Sequence, residues 1–395
     1  MSSPRLPPGV RDYLPVAAAR RRGLAATAAA EIERWGYRGI ITPLYEYADV
    51  LARGMGQAVS AMRFVEPASG EVVALRPDLT PQVARLVATR MHDEPGPVRL
   101  YYQGSVVRLD GGRREIFQVG VELIDAPQPG GDLEVVALAE AALGALGIAD
   151  YTVDLGHAAI VRAALHELGL DDEAMAALQL ALRRKDGAAV AALATLARVS
   201  ESRKSLLVAL PTLYGGPDIL ARARGLVEDA EARAAVDELQ LLCERLGALG
   251  PAARLSIDLG EVRGFDYYTG TRFALYAEGV GGALASGGRY DGLVARYGRP
   301  ARAAGFALDV DRTAELLKLR GVPAPRLPGG VLVAGDPVAA ARAAAELRAK
   351  GERVVLDLDE PPAPDADLQR RAAARELSRV AVAGPAGIRW LGEGS

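Results

Sequence analysis

The chain has 395 residues, half of them apolar and a quarter charged, with a formal net charge of −3, which is enough for two or three domains with a substantial core. Its single cysteine, Cys243, excludes a disulfide framework and a multi-cysteine metal site, and fits a reducing, cytoplasmic setting. The charge balance offers no strong field for nucleic acid; no apolar run reaches membrane-spanning length, and Met1–Arg11 lacks the apolar centre of a secretory leader.

In chain order, residues 1–22 are rich in Pro and Arg, and Gly23–Trp35 then reads as a helix with Leu24, Ala28, Ile32 and Trp35 on one face. Ile40–Pro43 reads as a short strand, with Pro43 suited to its end. A strand over Glu71–Leu75 leads into Arg76-Pro77-Asp78-Leu79-Thr80 and a helix from Pro81 to Arg90, whose proline suits a first turn. Val98–Leu109 and Glu115–Ile124 read as antiparallel strands, and the Gly-Gly pair between them favours a hairpin. Ala158 to Leu246 is mostly helical, broken at Gly169, Gly187 and Gly215-Gly216-Pro217, and strands return at Leu255–Leu259, Arg272–Ala277 and Gly305–Leu308. A Pro-rich linker precedes strand Val331–Ala334, helix Pro337–Lys350 behind an Asp336 cap, and strands Arg353–Leu358 and Val380–Ala383. The irregular order predicts an α+β fold, an antiparallel sheet with flanking helices and not a doubly wound sheet. The expected domains are a core over 1–322 with a helical insertion at 158–246, a linker at 323–328, and a small α/β module at 329–395.

Four stretches carry the chemistry. On a strand over 115–124, Gln118, Gly120 and Glu122 share one face and Phe117, Val119, Val121 and Leu123 the other. The polar face either borders a ligand, lying in the space above Gly120, or meets water. In extended geometry Arg76, Asp78 and Thr80 point the same way; an acid beside a hydroxyl suits an ammonium, but Asp78 or Thr80 can equally cap the following helix. In Val262–Gly270, Arg263 and Tyr268 would face opposite sides of a flat strand, and a bend or bulge at Gly264 could bring both to one site, with Tyr267 beside them. Phenols that donate and accept fit an imidazole, although the same residues can decorate a rim. Ser286–Leu293 adds Arg289 and Tyr290 beside glycines and reads either as part of a small zwitterion site or as a turn.

Read together, these pieces resemble class II histidyl-tRNA synthetases over roughly residues 5–320. Pro7–Pro15 and Trp35–Glu46 look like the opening and the first, dimer-building motif; Arg108–Glu122 looks like the second motif, and Gly305–Arg312 the third. The resemblance implies that Asp78 and Thr80 receive a histidine ammonium, Gln118 and Arg263 its carboxylate, and Glu122, Tyr267, Tyr268 and Tyr290 its imidazole. Arg108 and Arg312 match arginines that grip ATP phosphates. Three departures stand out: Leu75-Arg76-Pro77-Asp78, a clipped loop after Arg108-Leu109-Asp110, and a C-terminal module too small for a full anticodon-binding domain. They resemble the synthetase paralogues that serve as regulatory subunits of ATP phosphoribosyltransferase, in the first step of histidine biosynthesis. That likeness implies a chain with no catalytic residues, cofactor or metal, in which Arg108 and Arg312 are vestigial. It would form a homodimer within a hetero-oligomer with the short-form catalytic subunit, take L-histidine as effector, and engage neither membrane nor nucleic acid. The competing readings are a working synthetase with a truncated tail and a starvation sensor that binds RNA or protein.

Overall fold

The computed structural model describes residues 5–55, 61–109, 112–250, 254–262, 264, 267–325 and 329–392. The first helix, α1, spans Pro15–Arg34 and starts earlier than its apolar face implies, because Pro15 occupies a first-turn position that needs no backbone N–H. Next come β1 (Arg38–Ile40), β2 (Tyr45–Tyr47), α2 (Ala48–Gly54), β3 (Arg63–Val65), β4 (Val72–Leu75), α3 (Thr80–Arg90), β5 (Val98–Val107), β6 (Glu115–Ile124), α4 (Gly130–Ala145) and β7 (Thr152–His157). The helical stretch is α5 (Ala158–Leu165), α6 (Asp172–Arg183), α7 (Gly187–Ala194), α8 (Glu201–Ala209), the two-residue strand β8 (Tyr214–Gly215), α9 (Ile219–Leu226) and α10 (Ala230–Leu249). β9 (Arg254–Asp258), β10 (Thr271–Tyr276), β11 (Ala285–Arg289), β12 (Ala303–Asp309) and α11 (Val310–Leu319) complete the body.

The main sheet, nine-stranded among the described residues, runs β1-β5-β6-β12-β11-β10-β7-β9-β8. It is antiparallel through the middle, with parallel pairs at β1/β5 and β7/β9. One face is the core: Val119, Val121 and Leu123 of β6, with Phe273, Leu275, Phe306 and Leu308, pack with Ala28 and Ile32 of α1 and Val135 and Leu138 of α4. Each of the Val, Leu, Ile and Phe side chains contributes about 1.5–3 kcal/mol on burial. The other face is roofed beside β5 by Leu79 and by Val83 and Val87 of α3. Asp311 ties the N-terminal segment to this body: Oδ1 accepts from the Tyr13 hydroxyl at 2.7 Å, Oδ2 accepts from the Phe117 N–H at 2.9 Å, and Arg21 Nε is 2.9 Å from Oδ1.

The sequence reading did not anticipate α4 or β11, and each has a physical reason. Helix α4 opens on Gly130-Gly131 with no side-chain cap and is buried on several sides, so it lacks the one-sided apolar stripe that marks a helix. Strand β11 contains Gly287-Gly288, poor strand formers that only tertiary packing keeps extended. A methyl group at Gly287 would strike the Gly305 carbonyl.

The chain divides into two compact units, Met1–Ala324 and Pro325–Ser395. The second holds β13 (Val331–Gly335), α12 (Pro337–Ala349), β14 (Val354–Leu356), α13 (Asp365–Ala374), β15 (Arg379–Gly384) and β16 (Gly387–Leu391). Its sheet runs β14-β13-β15-β16, parallel except for the last pair. Asp336 caps α12 by accepting from the Ala339 N–H at 2.9 Å.

Candidate functional site

The open face of the main sheet gathers most of the predicted polar positions. Alternation on β6 sends Val119, Val121 and Leu123 to the core and leaves Gln118, Gly120 and Glu122 opposite. Register extends this face across the sheet: Glu122 pairs with Gly305 on β12, Gly305 with Gly288 on β11, and Gly288 with Arg272 on β10. An acid and a base thus stand in one row, separated by two residues without side chains. Three strand spacings put their backbones roughly 14 Å apart. Both glycines are required by close approach. A methyl at Gly305 would collide with the Val121 carbonyl and the Glu122 carboxylate and lie 2.8 Å from the Tyr290 hydroxyl; at Gly288 it would lie 2.9 Å from the Tyr268 ring.

Glu122 is 1% exposed, and neither carboxylate oxygen has a hydrogen-bond partner among the described residues. Gln118 Oε1 and the Tyr102 and Tyr290 hydroxyls are also buried and unpartnered. Each such atom costs about 1–3 kcal/mol, so a face carrying this many is built to be completed by something polar. Burial holds the Glu122 carboxyl well above the ordinary range; the Thr80 and Tyr102 hydroxyls, near it but outside hydrogen-bond geometry, offset this in part, and the Asp78 charge adds to it.

Gly264, at φ 72°, turns the chain after Val262, and its carbonyl accepts from the Tyr267 and Tyr268 N–H groups at 2.9 and 3.0 Å. Tyr267 packs edge to face on Tyr268 at 5.2 Å and lies 5.5 Å from the Tyr290 ring. Burial pushes the Tyr268 phenol up to about 12 and Tyr267 also well above its usual value, so both remain protonated donors. Arg263 lies outside the described residues.

Asp78 and Thr80 sit beside this cluster, but not on an extended strand. The segment turns, so Arg76 separates from them: it is buried and donates to the Ser105, Thr42 and Pro43 carbonyls. Asp78 Oδ1 accepts from the Thr80 N–H at 2.9 Å, serving the start of α3, and Oδ2 is 3.6 Å from Arg108 Nη2. Two further expectations are corrected. The space above Gly120 is filled by the ring of Tyr102, its register partner on β5. Arg289 is on the core face, where it meets Asp132 at 2.8 Å and Asp291 at 3.0 Å, because Tyr290, next in sequence, takes the pocket side. Sequence reasoning passed over Tyr102 and Arg272. Both were accessible by alternation, since Arg272 and Ala274 share one face of β10 while Phe273 and Leu275 take the other.

The histidyl-tRNA synthetase family model matches residues 9–313. The chain is 40% identical to a Moorella thermoacetica protein named ATP phosphoribosyltransferase regulatory subunit, over 98% of both chains. The chain belongs to that regulatory-subunit family. A protein of the same name from an Anaeromyxobacter species is 44% identical over 79% of this chain and 93% of its own length. Among solved structures, an ATP phosphoribosyltransferase regulatory subunit/histidyl-tRNA synthetase from Bacillus halodurans superposes with a TM-score of 0.81 at 31% identity, covering 96% of this chain and 98% of the other.

In this regulatory-subunit family member, the two arginines matched to an ATP grip are engaged by the chain itself. Arg108 Nε donates to the Pro77 carbonyl at 3.0 Å. Arg312 Nη1 donates to the Ala283 carbonyl at 2.6 Å and lies 3.7 Å from Asp309. Asp309 also pairs with Arg113 at 2.6 Å and caps α11 by accepting from the Arg312 N–H at 2.8 Å. One carboxylate therefore faces two guanidinium groups.

Proposed function

We propose that the chain is the non-catalytic partner of a short-form ATP phosphoribosyltransferase catalytic subunit, and that L-histidine on the open face of the main sheet carries a feedback signal to it. The observation that carries the proposal is the set of buried, unpartnered polar atoms around Glu122, within a family named for regulation. Histidine supplies what that set lacks. Its imidazole would meet Glu122, Tyr268 and Tyr290, its ammonium would lie toward Thr80 and Asp78, and its carboxylate toward Gln118 and Arg263. Tyr267 would wall the imidazole. Asp309, by neutralising Arg113 and Arg312, weakens the case for binding ATP phosphates and favours regulation over adenylate formation.

Regulation of this kind needs only a differential affinity for two states of the assembly, and about 1–3 kcal/mol of coupling gives roughly 5- to 150-fold control. The same reading makes the chain a cytoplasmic homodimer within a hetero-oligomer. Exposed apolar side chains within the first motif, Ile41 at 94% with Leu44 and Tyr45, and after it, Phe64 and Val65, supply a contact face of suitable character.

The test is reconstitution. Purified catalytic subunit should be weakly active alone, gain activity on mixing with this chain, and become inhibitable by histidine only in the mixture. A catalytic subunit that is fully active and histidine-sensitive by itself would refute the proposal, as would histidyl-adenylate formed by the purified chain.

A further inference from the structure

Tyr102 carries a buried polar atom on the open face, and the contacts assigned above to L-histidine leave it without a role. The side chain is 1% exposed, and its hydroxyl has no hydrogen-bond partner among the described residues. It reaches across from β5 to its register partner on β6: the hydroxyl and the ring carbon that bears it both stand 2.4 Å from where a Gly120 Cβ would be. Gly120 lies between Gln118 and Glu122 on the same face of β6, roughly 7 Å along the strand from each. The phenol oxygen is therefore set between two other orphaned groups, Gln118 Oε1 and the Glu122 carboxylate.

A core role explains the ring but not the hydroxyl. Phenylalanine would fill the space over Gly120 equally well and would spare the fold a buried hydroxyl without a partner. The position identifies the missing partner. A ligand whose carboxylate lies toward Gln118 and whose imidazole meets Glu122 carries its α-carbon over Gly120, so a substituent on that carbon faces Tyr102. Burial, with the Glu122 and Asp78 charges, holds the Tyr102 phenol well above its usual value, and the Thr80 hydroxyl acts the other way. The phenol is thus a neutral acceptor that keeps its own proton, and it stands on the side assigned to the ammonium. An ammonium has three N–H donors, and Asp78 and Thr80 supply only two of the acceptors it needs.

We propose that Tyr102 is a binding residue whose hydroxyl accepts from the α-ammonium of an amino-acid ligand, and that it selects ligands with a free amino group over their deaminated relatives. The inference rests on the histidine reading above and adds to it a specificity set from strand β5. The selection follows from charge: a hydrogen bond to an ionised donor is worth about twice a neutral one, and a ligand without the ammonium leaves the hydroxyl as orphaned as it is in the free fold.

The experiment is ligand-observed NMR titration of the full chain and of Tyr102→Phe with L-histidine, with histamine, which keeps the ammonium and lacks the carboxylate, and with imidazolepropionate, which keeps the carboxylate and lacks the ammonium. Loss of a hydrogen bond to a charged group should weaken L-histidine and histamine by roughly 10- to 100-fold. Imidazolepropionate should change by about twofold or less, as for a ligand that makes no bond to the hydroxyl. The variant keeps the ring over Gly120 and loses only an unpartnered hydroxyl, so its thermal melt should match or exceed the parent's. Equal losses for every ligand would overturn the inference, as would unchanged L-histidine binding or a loss confined to imidazolepropionate. Should the parent bind imidazolepropionate too weakly to titrate, histamine decides: a loss matching that of L-histidine upholds the inference, and unchanged histamine binding overturns it. Failure of the parent to bind L-histidine would remove the histidine reading and this inference together, whereas the other outcomes bear on Tyr102 alone.

Discussion

Glu122 carries a cost in the free fold that the proposed histidine ligand would relieve. Its carboxyl is buried, unpartnered and shifted upward. The sign follows from linkage. With a folded-state value above the unfolded value of about 4.3, the native state holds its proton to higher pH, so stability is greatest below that value and falls as pH rises through the folded one. Glu122→Gln removes this dependence. The variant should be more stable than the parent at neutral pH, by at least ~1 kcal/mol or roughly 2 °C in Tm, while binding histidine more weakly; the difference should shrink near pH 4. Thermal melts across pH 4–8 without histidine would check this, and a variant less stable at pH 8 would contradict it. Alternation alone put Gln118 and Glu122 on one face. Legibility ended where the backbone left the strand: the turn after Leu75 separates Arg76 from Asp78 and Thr80, and the side chain filling the space above Gly120 comes from a neighbouring strand, which no local pattern reveals.

Among the elements, β12 and β11 form the floor of the site through what they omit. The Gly305 backbone supports the Glu122 carboxylate and the Tyr290 hydroxyl, and a methyl there meets backbone as well as side chain. Gly305→Ala should cost about 1–3 kcal/mol through overpacking and abolish histidine binding, measured by urea denaturation and calorimetry on the same protein. A stable variant with parental affinity would mean that the ligand lies elsewhere. The hairpin β5–β6 and helix α3 were legible from turn residues and apolar spacing. Strand β11 was not, because its Gly287-Gly288 pair signals a turn locally and becomes a strand only between β10 and β12. Helix α4 was hidden by a glycine start and by burial on several faces, which left amphipathicity silent even though its Ala, Leu and Glu content favours a helix.

At the level of the whole molecule, the second unit has its own sheet and its own apolar clusters, with Ala343 and Leu347 of α12 in one and Leu368 and Ala372 of α13 in the other. The pocket residues all belong to the first unit. A truncation ending at Ala324 should therefore stay folded and bind histidine within about twofold of the full chain, as judged by circular dichroism and calorimetry. The Anaeromyxobacter relative that carries the regulatory-subunit name has 93% of its length matched by 79% of this chain. Asp309 carries a last consequence. Placed between Arg113 and Arg312, it gives the molecule a built-in substitute for a phosphate oxygen. On the proposed reading, a controller equipped in this way would leave adenine nucleotide to the enzyme that consumes it, and its response would follow the end product without tracking the cell's energy charge.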